Sequence, residues 1–291
     1  MGAKEQILER FASLSPQIQA AAKYIVDHPN EVVVRSMRTL ADSAGIQPAT
    51  FVRLAQQLGY DGWPALKAAF ADELGLGSEG YGQRARNLAA RGRDGDLLGE
   101  LFVAQRRNLD LTEALCAQSL REAVKALKRA KAVHVAGFRA SFPVAHALAY
   151  GLRLFRHPVQ LVDGHGGGLE MQLRAVERND CVVVVGFAPY SRESVAVAEA
   201  AQAAGARLVA LTDSNASPLA LLADVPVLFS PASPSFFPSV AAAVAVVEAL
   251  LELLVADAGE AASQQIDRAE QQLFDSGAYV QSPVRRNPAK P

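Results

Sequence analysis

Cys181-Val182-Val183-Val184-Val185 is an unbroken apolar run that ends at a glycine, Gly186. Its length and its four β-branched residues predict a strand that is buried on both faces, as strands of parallel sheets are. The alanine-rich stretch 193–204 comes next and predicts a helix. A strand followed by a helix is the repeating unit of an α/β domain.

Strand and helix patterns alternate on both sides of this run, from residue 132 to residue 258. Four more strands and three more helices are predicted, the strands at 132–137, 159–162, 207–212 and 225–229 and the helices at 142–155, 169–176 and 236–255. Apolar strands that alternate with helices indicate an α/β fold, a doubly wound five-stranded parallel sheet covered on both faces and of flavodoxin-like strand order. Ligands of such sheets bind beyond the carboxyl ends of the strands.

The first 75 residues have helical periodicity instead, and one segment of them predicts a helix-turn-helix. A short helix from Thr39 ends at Gly45, where glycine can take the left-handed conformation of a tight turn. Pro48 suits the first turn of the next helix, predicted over 48–58. In this motif the second helix enters the major groove of DNA. A plain helical hairpin with a polar face fits the same spacing.

Polar side chains of that segment are of the types that contact bases and phosphates. The pattern leaves Gln47, Thr50, Arg53 and Gln57 on the outer side of the second helix, and Arg38, directly before the first helix, adds a positive charge. We therefore expect the DNA contacts to come from Arg38, Gln47, Thr50, Arg53 and Gln57.

Charge is distributed unevenly along the chain, although its 291 residues have a net charge of only −1. Residues 76–131 hold 11 basic and 7 acidic residues, whereas 132–258 hold 7 basic and 11 acidic ones. Near-neutrality is therefore compatible with a DNA partner. Length and composition changes predict four regions: a DNA-binding domain at 1–75, linker helices at 76–131, the α/β domain at 132–258, and a helix with a disordered tail at 259–291.

Composition excludes several protein classes. Half of the residues are apolar and a fifth are charged, which excludes a disordered chain. The two cysteines, Cys116 and Cys181, are far apart and have no Cys/His cluster near them, so no disulfide framework or zinc site is expected. The chain starts without an apolar leader and lacks a membrane-length apolar stretch. We expect a cytoplasmic protein that needs no metal or cofactor.

Glycines and hydroxyl groups gather in three strand-to-helix loops, at 137–141, 186–194 and 212–219. The start of a helix presents free backbone N–H groups and a partial positive charge to an anion. A serine at such a position is also an ordinary helix cap. Three such loops at one sheet edge favour an anion site, with these candidate residues: Gly137, Arg139, Ser141, Gly186, Ser191, Arg192, Glu193, Thr212 and Ser217.

Two sets of residues resemble a known family. The C-terminal half resembles the SIS (sugar isomerase) domain at Thr212-Asp213, Ser217-Pro218-Leu219-Ala220 and Ala223-Asp224. The helix-turn-helix resembles that of the RpiR/MurR family of bacterial transcription regulators at Leu40-Ala41, Gly45-Ile46, Ala49-Thr50, Arg53 and Leu58-Gly59-Tyr60. The resemblance implies a dimer or tetramer that binds operator DNA and senses a phosphosugar or a related metabolite.

The chain departs from the family pattern in its loops. Where the family has Ser-x-Ser-Gly-x-Thr, this chain has Gly186-Phe187-Ala188-Pro189-Tyr190-Ser191, which lacks two hydroxyl groups. Arg139 replaces the second glycine of Gly-x-Gly-x-Ser, and Gln47 replaces the usual serine of the DNA-reading helix. Because arginine grips phosphate and carboxylate alike, the expected effector is a small anionic sugar derivative, either a phosphosugar or a sugar acid.

Two other functions fit parts of the sequence. A sugar-phosphate isomerase would use Glu193 and His165 as acid–base groups. Alternatively, the helical domain would dock a protein rather than DNA. The helix-turn-helix, which an isomerase does not need, favours a transcription regulator that is not an enzyme.

Overall fold

The computed structural model describes residues 2–73, 80–91 and 96–279, without the side chains of Asn30 and Val34. The glycine-rich stretch at 75–82, next to the predicted end of the first region, lies mostly outside these residues, and residues 280–291, the end of the last predicted region, lie wholly outside them. Six helices form the N-terminal region: α1 (Ala3–Arg10), α2 (Pro16–Asp27), α3 (Pro29–Val34), α4 (Met37–Ala44), α5 (Pro48–Gln57) and α6 (Trp63–Glu73).

Helices α4 and α5 form the predicted helix-turn-helix. Gly45 lies between them with φ 65° and ψ 33°, the left-handed conformation that the tight turn requires. The Ser36 hydroxyl caps the start of α4 by accepting the N–H of Thr39. Leu40, Phe51 and Leu54 are fully buried, as the pattern predicts, so both helices share the core of this region.

The region predicted to be the linker contains two helices, α7 (Tyr81–Ala90) and α8 (Leu97–Arg129), among its described residues. The second of them is a single helix of 33 residues. Its last half packs against the sheet through Cys116, Leu120 and Leu127. No helix of the described part of the chain is both long enough and apolar enough to cross a membrane.

Five strands make up the sheet, and all neighbouring pairs are parallel. Their order is β2-β1-β3-β4-β5, which confirms the predicted doubly wound sheet. The strands are β1 (Val133–Gly137), β2 (Val159–Val162), β3 (Cys181–Val185), β4 (Arg207–Thr212) and β5 (Val225–Leu228).

Helices cover both faces of this sheet, which explains the unbroken apolar run of β3. Cys181, Val183 and Val185 belong to the core under α8, and Val182 and Val184 point into the opposite core. Since successive side chains alternate between faces, a strand covered on both sides must be apolar throughout. The remaining helices are α9 (Phe142–Arg153), α10 (Leu169–Arg174), α11 (Arg192–Ala204), α12 (Pro218–Leu222), α13 (Ala241–Ala258) and α14 (Glu260–Asp275).

Gly45→Ala should lower the free energy of unfolding by about 1 kcal/mol, because a Cβ is strained at this positive φ. No atom lies within 4 Å of the position of that Cβ, so the cost is one of backbone conformation rather than of a clash. Gly45→Asn is the matched control and should cost less, because asparagine tolerates the left-handed region. Urea unfolding measures both, and an alanine variant as stable as the wild type would contradict this account of the turn.

Candidate functional site

The carboxyl ends of β1, β3 and β4 lie side by side, because these strands are neighbours in the sheet and run in the same direction. The three candidate loops leave from these ends and lead into α9, α11 and α12. As predicted, these loops meet at one edge of the sheet. Their side chains, however, differ in burial and in the contacts that they make.

Two of the candidate glycines serve helix packing. A Cβ on Gly137 would stand 2.7 Å from the Cβ of Ala145 and 2.8 Å from the carbonyl oxygen of Ser141. A Cβ on Gly186 would stand 2.6 Å from Cδ1 of Leu219. The absence of a side chain at these glycines lets α9 and α12 approach the sheet.

Thr212 and Ser217 were predicted to contact the ligand, but both are fully buried. The Thr212 hydroxyl donates to Oγ of Ser217 at 3.0 Å, and Ser217 accepts the N–H of Ala220 at 3.0 Å as the cap of α12. Packing of α12 against the sheet encloses both side chains, and their contact with a ligand stays a prediction.

Ser191 and Ser141 differ from each other. Ser191, which is half-buried, caps α11 by accepting the N–H of Ser194 at 3.1 Å. Ser141 is buried and makes no cap hydrogen bond. The first turn of α11 still presents N–H groups that the helix ladder does not use, and Arg192 at its first position is exposed. This helix start retains the features of an anion site.

Arg139 and Glu193 form an ion pair across two of the loops. Nη2 of Arg139 lies 2.7 Å from Oε1 of Glu193, and the Arg139 side chain is 75% exposed. The pKa of Glu193 lies below its ordinary value, first because its carboxylate accepts its own backbone N–H and then because of Arg139. Arg139 has φ 56°, and no other non-glycine residue in the described ranges has a positive φ. Its backbone is therefore strained at this position.

Asp213 is a functional candidate that the sequence analysis missed. Its carboxylate accepts the N–H of Ala188 at 3.2 Å and the hydroxyl of Tyr190 at 2.7 Å. Burial, followed by the negative charge of Asp213, raises the pKa of Tyr190 above its ordinary value. The loop expected to hold a phosphate thus already holds a carboxylate of the chain itself. An acidic residue directly after a strand, at the predicted ligand edge, was the available signal.

His165 and Glu193 are not joined in the described structure. His165 is exposed, and its backbone N–H donates to Oδ1 of Asp163. Among the described residues no hydrogen bond or ion pair links the two predicted acid–base groups, and Glu193 is paired with Arg139 instead. In the same ranges no three His, Cys, Asp or Glu side chains gather into a group that could hold a metal ion.

The predicted DNA-reading face is exposed except at one residue. Arg38, Gln47, Arg53 and Gln57 are all exposed. Thr50 is only 3% exposed, so its prediction as an outer residue is wrong. Its position in the first turn of α5 directs the side chain into the helical core, against which α2 and α4 pack.

A cleft with several basic side chains lies at the edge of the sheet opposite to the three loops. This cleft of about 600 Å³ at the amino ends of the strands is lined by polar and basic residues. Its five cationic side chains are Lys125, Arg129, Lys131, Arg178 and Arg207. Two of them are paired, Lys131 with Glu177 and Arg207 with Asp224.

Comparison with known families finds two domain models along the chain. The SIS domain model matches residues 126–253, and the model of the rpiR-family helix-turn-helix domain matches residues 1–76. The two matches together span more than half of the chain. The chain belongs to the RpiR family. In this family's terms, α1 to α6 are the helix-turn-helix domain and the parallel sheet is the SIS domain.

Relatives of this RpiR-family chain are named as transcription regulators. The uncharacterised HTH-type transcriptional regulator YfhH of Escherichia coli K12 is 27% identical over 71% of this chain and 74% of its own length. YbbH of Bacillus subtilis 168, also an uncharacterised HTH-type transcriptional regulator, is 27% identical over 73% and 74%.

Solved structures share the fold. The sugar isomerase domain of an RpiR transcription factor from Sphaerobacter thermophilus is 25% identical and matches 62% of this chain and 99% of its own, with a TM-score of 0.58. The Vibrio vulnificus NanR protein complexed with ManNAc-6P is 21% identical and matches 94% of this chain and 99% of its own, with a TM-score of 0.59.

The free energy of unfolding of Arg139→Gly should be about 1 kcal/mol higher than that of Arg139→Ala. Both variants lose the exposed ion pair with Glu193, but only glycine relieves the strain of φ 56°. Chemical denaturation of the two variants measures the difference directly. Equal stability of the two variants would show that Arg139 carries no backbone strain.

Proposed function

We propose that this chain is a DNA-binding transcription regulator whose SIS domain binds a small anionic sugar derivative, a phosphosugar or a sugar acid. The observation that carries the proposal is the pair of exposed arginines, Arg139 and Arg192, at the carboxyl edge where α11 begins. The same chain carries an exposed helix-turn-helix. A binding site joined to a DNA-reading unit suits a sensor and not an enzyme.

The DNA-binding half of the proposal rests on α5. Its exposed Gln47, Arg53 and Gln57, with Arg38 from α4, offer amide and guanidinium groups of the kinds that contact bases and phosphates. Operator DNA is therefore the proposed partner, and the cytoplasm is the proposed location.

The effector half rests on charge and helix geometry. A guanidinium binds a carboxylate or a phosphate through two parallel hydrogen bonds, and the start of α11 adds a partial positive charge. The Vibrio vulnificus NanR protein, which shares the fold of this chain, is complexed with the sugar phosphate ManNAc-6P. A ligand of either anion class is consistent with Arg139, Ser191 and Arg192.

We also propose that the protein is a homo-oligomer. Leu98, Phe102 and Leu109 in the first half of α8 are exposed, although they continue the helix face that Cys116 and Leu120 bury farther along. A second copy would cover this face. A dimer would present two reading helices about 34 Å apart, one turn of the duplex.

Effector binding needs a route to the DNA-binding domain. Helix α12, which follows the third loop, contacts α3 of the helix-turn-helix domain. Asp27, His28 and Arg35 of that domain line a cleft of about 300 Å³ together with Leu221 and Leu222. An effector that favours one arrangement of this contact would shift the population of DNA-binding-competent molecules.

Arg53→Ala should weaken binding to the DNA upstream of the protein's own gene by roughly 5- to 150-fold, which is the loss of one base or phosphate contact. Arg174→Ala is the matched control, since Arg174 is exposed on α10, outside the DNA-binding domain, and its removal changes the charge equally. A gel shift at several salt concentrations measures both. Unchanged binding by the Arg53 variant would contradict the assignment of α5 as the reading helix.

A thermal-shift screen should give stabilisation by sugar phosphates or sugar acids and none by the matching neutral sugars. The physical reason is that the two arginines and the start of α11 recognise negative charge. Arg192→Ala should reduce the ligand-induced shift, whereas Arg174→Ala should leave it unchanged. Stabilisation by neutral sugars alone would overturn the anion site.

A further inference from the structure

The Arg139–Glu193 pair lies where the proposed effector would bind. It joins the loop after β1 to the start of α11, and the partners are 54 positions apart in the sequence. The chain keeps an arginine there at the cost of a positive φ, although glycine is the residue that this conformation favours. Backbone strain at Arg139, on the edge proposed to bind the effector, points to a role of this residue in binding.

We propose that Glu193 is an internal substitute for the effector. In the free protein its carboxylate is paired with the guanidinium of Arg139, and a carboxylate group of the effector displaces it. The inference deepens the proposed function and rests on it, because it names a sugar acid as the ligand class. It also gives Glu193 a role as a competitor rather than as an acid–base group.

The exposure of the pair makes the exchange possible. The Arg139 side chain is 75% exposed and that of Glu193 is 31% exposed, so solvent screens their attraction. Glu193 can therefore leave the guanidinium at low cost when another anion arrives. An ion pair buried away from solvent would resist such an exchange.

The surroundings favour a carboxylate over a phosphate. Asp213 already accepts the N–H of Ala188 and the hydroxyl of Tyr190, so the loop holds a fixed negative charge. A phosphate monoester carries about 1.5 to 2 negative charges at pH 7 and is repelled more strongly than a carboxylate with a single charge. The two hydroxyl groups of residues 186–191 already donate within the chain, that of Tyr190 to Asp213 and that of Ser191 to Oγ of Ser194.

Isothermal titration of the full chain with gluconate, glucuronate and glucose 6-phosphate tests the proposal. Glu193→Gln removes the competitor and should bind at least one of the two acids roughly two- to fivefold more tightly than the wild type, the range expected for loss of an exposed ion pair. Glu199→Gln is the matched control, because it removes one negative charge from an exposed position of the same helix. This control should bind with wild-type affinity.

A double-mutant cycle separates the competitor from a general field effect. In the Arg139→Ala background, Glu193→Gln should give no gain in affinity, since the guanidinium for which Glu193 competes is absent. An equal gain in both backgrounds would overturn the proposal. So would Glu193→Gln binding both acids no more tightly than the wild type.

The remaining outcomes are also decisive. Tighter wild-type binding of glucose 6-phosphate than of either acid would overturn the carboxylate class. Failure of both the wild type and Glu193→Gln to bind any of the three probes would overturn the proposed anion site itself, and the inference with it. A carbon NMR titration of the ligand-free chain checks the pair: the pKa of Glu193 should rise in Arg139→Ala, and an unchanged pKa would mean that the pair does not form in solution.

Discussion

Parallel pairing of β1, β3 and β4 is the constraint on which the site depends. Because the three strands point the same way, their carboxyl ends and the helix starts that follow them lie at one edge of the sheet. Helix starts carry a partial positive charge, so the edge is suited to anions before any side chain is considered. Arg139 and Glu193 can form a 2.7 Å contact across the loops only because of this pairing.

The sequence predicts the fold well because the signals that determine it are local. The apolar run of β3 and the turn at Gly45 reflect burial and backbone conformation, which neighbouring residues largely decide. The site was less predictable because its contacts are tertiary. Thr50, Thr212 and Ser217 have side chains suited to binding but are enclosed by helix packing. Periodicity alone does not reveal which polar residues a neighbouring helix covers.

Carboxylates of the chain itself define the character of the candidate site. Asp213 is held by the loop that the family pattern assigns to phosphate, and Glu193 is held by an arginine that replaces a glycine. In the proposed exchange, the affinity for an effector depends on how much more strongly Arg139 binds the effector than it binds Glu193. Both contacts depend on a few residues of the loops, whereas the sheet beneath them has the doubly wound order β2-β1-β3-β4-β5.

Hydrogen–deuterium exchange of the full chain, with and without a mixture of gluconate and glucose 6-phosphate, tests most directly whether the carboxyl edge is the anion site. We expect slower exchange at residues 139–141 and 188–194, where the arginines and the start of α11 would be covered. Slower exchange confined to residues 125–131 and 178–180, at the basic cleft of the opposite edge, would contradict this expectation. So would an exchange pattern that the ligands leave unchanged.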